Sequence, residues 1–261
     1  MNGKNHLQSK IRRSVCEVID MLRLVGVFAG YGGSDVLQGV DLNCDPGTIT
    51  CIVGPNGAGK STVLRLVSGL LKPSAGVVTL QDNSIGGVDP AKILGLGVTQ
   101  VPQSHALFPH MSIRENVLLG GYILRKNPDL LRERYAEISR MVPIVAERPE
   151  DAAGNLSGGQ RRMVEVARCL MLDPVLIMLD EPSLGLDPKA LASVVSLVKD
   201  LNSAGKTILI VEQNVRLGLG MATHGVVMEG GKVRLHGTAD EVVNNPEIAA
   251  LFLGGSMTVA D

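Results

Sequence analysis

Aromatic residues are scarce in this chain of 261 residues: they make up 2% of it, and tryptophan is absent. Long apolar runs are missing too, although 45% of the residues are hydrophobic. No run approaches the roughly 18 residues that a membrane-spanning helix requires, which predicts a soluble protein. The formal net charge is −1, so the strongly basic surface of a dedicated nucleic-acid-binding protein is also lacking.

Cysteine is infrequent and carries no metal-site pattern. Cys16, Cys44, Cys51 and Cys169 show no C-x-x-C spacing and no nearby histidine cluster. This argues against the usual zinc motifs and favours buried thiols in a reducing compartment. The first residues are basic but lack the apolar segment of a signal peptide. Residues 1–20 are therefore interpreted as an extension without a motif or, equally well, as a short native helix.

Strand and helix patterns alternate from Met21 onward, which predicts an α/β fold. Predicted strands beyond the first cover residues 48–53, 76–80, 97–101, 175–179, 206–211 and 223–229, and predicted helices cover 61–71, 161–172, 188–203, 214–221 and 239–244. Continuous apolar strands are typical of parallel sheets that are buried on both faces. Between about 104 and 160 only helical patterns occur, and prolines bound them. We predict one domain over 21–255 with a helical subdomain at about 104–160 and a tail at 256–261.

A glycine-rich loop follows the strand predicted at 48–53. Its residues are Gly54, Pro55, Asn56, Gly57, Ala58, Gly59, Lys60 and Ser61, which complete a G-x-x-x-x-G-K-[ST] pattern before a helix that continues with Thr62. Such glycines let backbone N–H groups converge on an anion, and the helix adds its positive N-terminus. The lysine of this pattern reaches the β- and γ-phosphates, and the serine hydroxyl binds Mg²⁺. The loop predicts ATP and Mg²⁺ as cofactors.

Two carboxylates, Asp180 and Glu181, end the apolar run that starts at Val175. Open α/β sheets bind ligands at the carboxyl ends of their strands, where these acids fall. We assign Asp180 to Mg²⁺ and Glu181 to orienting and deprotonating the attacking water. An acidic pair alone is weak evidence, because exposed strand ends often carry acids.

A third motif lies just ahead of a long helical pattern. It comprises Leu156, Ser157, Gly158, Gly159 and Gln160. Its position predicts backbone N–H groups at a helix N-terminus, a second geometry suited to anions.

With these motifs together, the chain resembles the nucleotide-binding subunits of ABC transporters, from about Leu22 to Gly255. The resemblance implies the P-loop ABC-ATPase fold, with a mostly parallel core sheet, an N-terminal antiparallel β region and a helical subdomain. It also implies ATP hydrolysis coupled to transport. In this family Ser157–Gln160 contact the γ-phosphate of ATP that the opposite subunit holds, so the chain is expected to work as a head-to-tail dimer of nucleotide domains.

Three further positions match the family. Tyr31 falls where an aromatic ring stacks on adenine, although a lone tyrosine is more often a core or surface residue. Gln103 falls where an amide contacts Mg²⁺ or the attacking water and opens the helical subdomain. Asp187 falls in the loop that crosses the dimer interface. After Gln103, residues Leu107, Phe108, Pro109 and Met111 form an apolar stretch that would receive a short permease helix or pack the subdomain's own core.

Gln213 departs from the pattern, because most relatives carry a histidine there against the γ-phosphate. An amide donates a hydrogen bond but cannot take up a proton. We place Gln213 in the catalytic set with Glu181 and Lys60, with the alternative that it points away from the nucleotide. His224 is interpreted as an ordinary polar residue.

Four features together resemble one of the two ATPases of branched-chain amino acid importers: the Val211-Glu212-Gln213-Asn214 segment, residues 180–186, the Tyr31-Gly32 pair, and the segment from Gly237 to Gly255. Urea and amide importers share much of this pattern. The implied partners are permease subunits, a second ATPase subunit and, indirectly, a solute-binding protein, at the cytoplasmic face of the plasma membrane. A lipid- or lipopolysaccharide-exporting ATPase is an alternative. An ABC ATPase acting on DNA or the ribosome is a weaker one, because no coiled-coil or zinc insertion is present.

Overall fold

The computed structural model describes residues 20–104 and 106–248. The predicted extension at 1–20 therefore lies almost wholly outside the described residues, as does the tail at 256–261. The strands are β1 (Leu22–Tyr31), β2 (Ser34–Cys44), β3 (Ile49–Val53), β4 (Ala75–Leu80), β5 (Asn83–Ser84), β6 (Val98–Val101), β7 (Leu176–Asp180), β8 (Thr207–Glu212), β9 (His224–Glu229) and β10 (Lys232–Thr238).

Helices connect the parallel strands of the chain, and one longer helical region lies between β6 and β7. They are α1 (Lys60–Val67), α2 (Pro90–Gly95), α3 (Ile113–Gly120), α4 (Pro128–Met141), α5 (Pro143–Glu147), α6 (Gly158–Leu170), α7 (Pro188–Ser203), α8 (Val215–Met221) and α9 (Ala239–Val243). Short 3-10 helices at Tyr122–Leu124 and Ala153–Asn155 complete that region.

A six-stranded sheet forms the centre of the molecule, in the order β10-β9-β3-β8-β7-β6. The pairs from β9 through β3, β8 and β7 to β6 are parallel, whereas β10 returns antiparallel to β9. Every residue of β3, β7 and β8 is buried. In β7, Ile177 and Leu179 face one hydrophobic core, and Leu176 and Met178 face the other. These two buried faces explain the continuous apolar runs in the sequence.

A second sheet, β2-β1-β4-β5, is antiparallel and covers one core together with α1. The other core lies under the helical region, where Ile113, Val117 and Ile138 pack with Val164 of α6. A parallel core sheet, an N-terminal antiparallel region and a helical subdomain confirm the predicted fold class.

Some boundaries differ from the prediction. The first predicted helix ends at Val67 rather than at residue 71, because Gly69 adopts a φ of 75°. No strand is predicted between 229 and 239, where the structure forms β10, whose residues alternate between exposed and half-buried positions. Such a strand at a sheet edge needs few apolar residues, so its strand pattern in the sequence is weak.

The cysteines in the described part of the chain, Cys44, Cys51 and Cys169, are free thiols. Burial raises the pKa of Cys44 and Cys169 to about 12 and raises that of Cys51 as well. Cys16 lies outside the described residues. Across residues 20–104 and 106–248, every helix is too short or too polar to cross a membrane.

Candidate functional site

The glycine-rich loop leaves the sheet at the carboxyl end of β3 and enters α1. A Cβ at Gly54 would lie 2.2 Å from the backbone oxygen of Met228, so only glycine fits there. Gly57 and Gly59 have φ values of 82° and 99°, which an L side chain rarely adopts. Gly59 is the N-cap of α1 and supplies no side-chain hydrogen bond to the first turn. The first N–H groups of the helix are therefore left for an anion.

Lys60 lies at the first position of α1, beneath the loop. Its Nζ donates to the backbone oxygens of Gly54 at 2.9 Å and Pro55 at 3.1 Å. Burial lowers its pKa, while the nearby carboxylates of Glu181, Asp180 and Glu212 act in the opposite direction. The ammonium is thus held at the mouth of an anion-binding loop.

Ser61 and Asp180 bring hydroxyl and carboxylate oxygens together between α1 and β7. Ser61 Oγ donates to Asp180 Oδ1 at 3.2 Å, and burial raises the pKa of Asp180. Mg²⁺ prefers hard oxygen donors and is usually held by one or two protein groups together with phosphates and water. The pair fits that donor set.

Glu181 follows the end of β7 in a strained backbone conformation. Its φ is 45°, which is uncommon for a residue other than glycine, and its N–H donates to the oxygen of Val211 at 2.8 Å. Gln103 Nε2 donates to Glu181 Oε2 at 2.6 Å. The packing thus brings two sequence-predicted residues, 78 positions apart, into direct contact.

A cavity of about 330 Å³ opens beside Glu181. It is lined by Glu181, Ser183, Leu184, Glu212, Gln213 and Asn214. Gln213 is exposed directly after β8 and is one of the residues that line the same cavity as Glu181. The role of Gln213 remains a prediction, but it is not remote from the candidate base.

Tyr31 ends β1 next to α1, and its side chain is 46% exposed. Its hydroxyl accepts from Arg65 Nη1 at 3.4 Å, and the Arg65 guanidinium carbon lies 5.8 Å from the ring centroid. An exposed ring beside the phosphate-loop helix does not fit the core alternative, whereas it fits both the predicted adenine stacking and the surface alternative.

The third motif forms the start of α6, as predicted. Ser157 is the N-cap and, with Gln160, makes a capping box: Ser157 Oγ accepts from Gln160 N, and Gln160 Oε1 accepts from Ser157 N. Ser157, Gly159, Gln160 and Asp187 line a separate cavity of about 310 Å³. Asp187 in turn caps α7 by accepting from Lys189 N and Ala190 N. The third motif thus lies at a second cavity, apart from the one beside Glu181.

Sequence reasoning missed two groups next to the site. Glu212 is 2% exposed, and its Oε1 accepts from Ser183 N at 3.0 Å. Burial raises its pKa. Arg162 and Glu165 form a buried ion pair on α6 that contacts the Gln103 loop. The available signal was a charged residue inside an otherwise apolar pattern, at the end of β8 and along one face of α6.

Proteins of similar sequence include ATP-binding subunits of transport systems. Residues 37–184 match the sequence profile described as ABC transporter. The chain is 32% identical to the high-affinity branched-chain amino acid transport ATP-binding protein BraG of Pseudomonas aeruginosa, over 90% of this chain and all of that one. It is also 32% identical to the lipopolysaccharide export system ATP-binding protein LptB of Acidithiobacillus ferridurans, over 92% of this chain and 99% of that one.

A solved structure has a similar fold over most of this chain. It is an ATP-binding cassette of an ABC transporter in its ADP conformation, with a TM-score of 0.81 and 27% identity over 90% of this chain and 99% of that one. This fold binds nucleotide. The chain therefore belongs to the ABC transporter family, as an ATP-hydrolysing subunit whose activity is coupled to transport.

Proposed function

We propose that this subunit powers the import of branched-chain amino acids through a membrane permease, at the cytoplasmic face of the membrane. Two kinds of support combine: the Val211–Asn214 segment resembles that branch of the family, and BraG, a relative over its whole length, is named for this transport. Amino acids of this kind are the proposed cargo, and a solute-binding protein is the proposed source of them.

The contact between Gln103 and Glu181, next to the Ser61–Asp180 pair, carries the catalytic part of the proposal. Lys60 and the loop amides bind the phosphates, and Ser61 and Asp180 hold Mg²⁺, with Gln103 as a further ligand. Bound Mg²⁺ supplies charge neutralisation on the phosphates. Glu181 accepts the proton of the attacking water, and Gln103 orients the Glu181 carboxylate and that water.

The second half-site supports a dimer. Phosphoryl transfer depends on positioning and electrostatic stabilisation, so a γ-phosphate needs donors on more than one side. Ser157–Gln160 of one chain supply these donors to ATP on the other chain, and Asp187 lies at the shared interface. The second chain is another copy or a related ATPase.

The permease contact is assigned to the start of the helical region. Phe108 is 54% exposed and Pro109 is exposed, whereas Leu107 packs against the core and Met111 is half-buried. Both interpretations of this stretch therefore apply, each to part of it. Phe108 and Pro109 are the residues we assign to permease docking.

Replacement of Glu181 tests the assignment. In Glu181→Gln we expect ATP affinity to stay within about twofold, hydrolysis to fall by roughly 10²–10⁴-fold, and an ATP-bound dimer to accumulate in size-exclusion chromatography. Glu229→Gln, at the end of β9, is the matched control and should hydrolyse ATP normally. Hydrolysis at the parent rate in Glu181→Gln would remove Glu181 as the base.

The transport part is tested in cells. Cells that carry only Glu181→Gln should lose high-affinity uptake of labelled leucine, isoleucine and valine. The similarity to LptB favours a second candidate, lipopolysaccharide export. Under that candidate amino acid uptake stays normal, and lipopolysaccharide accumulates in the inner membrane instead.

A further inference from the structure

Helix α6 presents charged side chains to the back of the loop that carries Gln103. Arg162 and Glu165 are 3% and 2% exposed, and their side chains pair at 3.0 Å between Nη1 and Oε2. Their neighbours Val164 and Val166 belong to the hydrophobic core. Two charges in such surroundings lose their hydration, and apolar residues of similar volume are often as stable there. Stability alone therefore does not explain why this buried ion pair is present.

The guanidinium of Arg162 donates two hydrogen bonds to the start of the loop that carries Gln103. Nη1 donates to the backbone oxygen of Pro102 at 2.8 Å, and Nη2 donates to that of Gln103 at 3.2 Å. Its planar group spans two consecutive carbonyls, which fixes both the position and the orientation of this peptide segment.

The carboxylate of Glu165 bonds the same loop farther along. Its Oε1 accepts from Ala106 N at 2.9 Å, while Arg168 Nη1 donates to Ala106 O at 2.7 Å. Arg162, Glu165 and Arg168 are spaced by three residues and so lie on neighbouring turns of one helix face. Side chains of a single helix therefore hold the loop by hydrogen bonds both before and after Gln103 in the chain.

We propose that Arg162 and Glu165 are positioning residues that hold Gln103 against Glu181. This inference rests on the role proposed above for Gln103. The backbone of Gln103 is bound from behind by Arg162, and its side chain donates to Glu181 at 2.6 Å on the other side.

The same grip links the two half-sites of one chain. Ser157 caps the N-terminus of α6, five positions ahead of Arg162. A shift of α6 that brings Ser157 to the opposite nucleotide must move the Gln103 loop with it. Hydrolysis at the chain's own site thus depends on the placement of the helix that serves the other site.

The first test replaces Arg162 by a residue that keeps the positive charge but lacks the planar guanidinium group. Lysine has a single ammonium group and cannot span both carbonyls, yet it still pairs with Glu165. Arg162→Lys should therefore fold, keep the KM for ATP within about twofold and lower kcat by roughly 10- to 100-fold, because small displacements of catalytic groups are costly. Arg134→Met is the control, since Arg134 pairs with Glu137 and Asp173 elsewhere; its kcat should equal that of the parent. An unchanged kcat in Arg162→Lys overturns the proposal.

A double variant shows whether Arg162 acts through Gln103. Gln103→Ala alone should lower kcat, and adding Arg162→Lys should lower it by less than a further twofold. Equal losses from Arg162→Lys in both backgrounds would contradict this inference alone. A parent-like kcat in Gln103→Ala would contradict the role of Gln103 and this inference with it.

Hydrogen exchange supplies a readout that does not depend on turnover. Glu165→Ala should speed exchange of the Ala106 amide at least tenfold. The amide of Ala153, which bonds Met111 O elsewhere in the helical region, should remain as in the parent. Glu165→Gln keeps an acceptor oxygen and should restore protection of Ala106. If the Ala106 amide is as protected in Glu165→Ala as in the parent, Glu165 does not hold the loop and the proposal is overturned.

Discussion

Two glycine-containing segments of this protein lead into helix N-termini, and they differ in what their own chain already satisfies. The loop before α1 has a glycine N-cap that offers no side-chain bond, and Lys60 lies buried beneath it. The motif before α6 closes its first turn with the Ser157–Gln160 capping box. The first segment therefore leaves the first N–H groups of its helix without a side-chain partner from the cap, whereas the second already satisfies the N–H of Gln160 within its own chain.

Gly59 of the first segment and Gly158 of the second differ in the space around them, although Gly159 is packed closely against Ala190. A Cβ at Gly59 would meet Leu37 Cδ2 at 2.8 Å, on top of the unusual φ of the residue. A Cβ at Gly158 would have its nearest neighbour at 3.8 Å, an ordinary contact. The fold of this chain thus requires glycine at 59 but not at 158. The proposed composite site, in which the nucleotide of the opposite subunit approaches this backbone, would account for glycine at 158.

The largest effect is expected when Lys60 of the first segment is replaced. Lys60→Ala removes the ammonium that is held among the loop carbonyls, and we expect the affinity for Mg-ATP to fall more than 100-fold, since charged hydrogen bonds to phosphate are strong. Equilibrium binding of a fluorescent ATP analogue measures this. Lys199→Ala, exposed on α7, is the control. Parent-like affinity in Lys60→Ala would refute the site.

Alanine at the two glycines sharpens the comparison directly. Gly59→Ala should lower the free energy of unfolding by about 1–3 kcal/mol because of backbone strain, and it should weaken nucleotide binding. Gly158→Ala should leave that free energy within about 0.5 kcal/mol while reducing hydrolysis and the ATP-dependent dimer. Denaturant unfolding and analytical ultracentrifugation separate the two effects. A Gly158→Ala variant that hydrolyses ATP normally would show that the second segment serves no opposite nucleotide.

Gln213 tests how far the cavity beside Glu181 contributes. Gln213→Ala should lower hydrolysis several-fold at saturating ATP, because a γ-phosphate donor is lost. Gln213→His should hydrolyse ATP at least as fast as the parent and introduce a titration near neutral pH, since glutamine has no pKa there. Steady-state rates against pH measure both. An unchanged rate in Gln213→Ala, with dimer formation verified, would place Gln213 outside the site.

The smallest effect concerns Glu212 in the same cavity. Burial raises the pKa of Glu212 in the folded protein above its unfolded value. The folded state therefore favours the protonated carboxyl, and the stability that this protonation contributes is lost as the pH rises through the folded pKa. Glu212→Gln keeps an acceptor for Ser183 N and should raise the free energy of unfolding at pH 8 by about 1 kcal/mol or less, or about 2–4 °C in Tm. The gain should shrink as pH falls. A gain that grows on acidification would contradict this sign.

Much of the fold could be predicted because its information is local. The helix Pro188–Ser203 begins and ends at the predicted residues, and β3, β7 and β8 agree within a residue or two at each end. Their apolar runs are continuous because both faces are buried, and burial on both faces is visible in the sequence. The edge strand β10 was not predicted, because pairing with β9 stabilises it without a strong apolar pattern of its own.

The sequence by itself determined the phosphate loop, the acidic pair and the helix start at Ser157, because each depends on residues that are adjacent in the chain. Only the tertiary structure decided which of these groups meet. Ser61 reaches Asp180 across 119 positions, Gln103 reaches Glu181 across 78, and Arg162 grips Pro102 across 60. Such contacts depend on how α1, α6 and the sheet pack against one another. That packing is decided by the fit of two whole cores, which no short motif encodes.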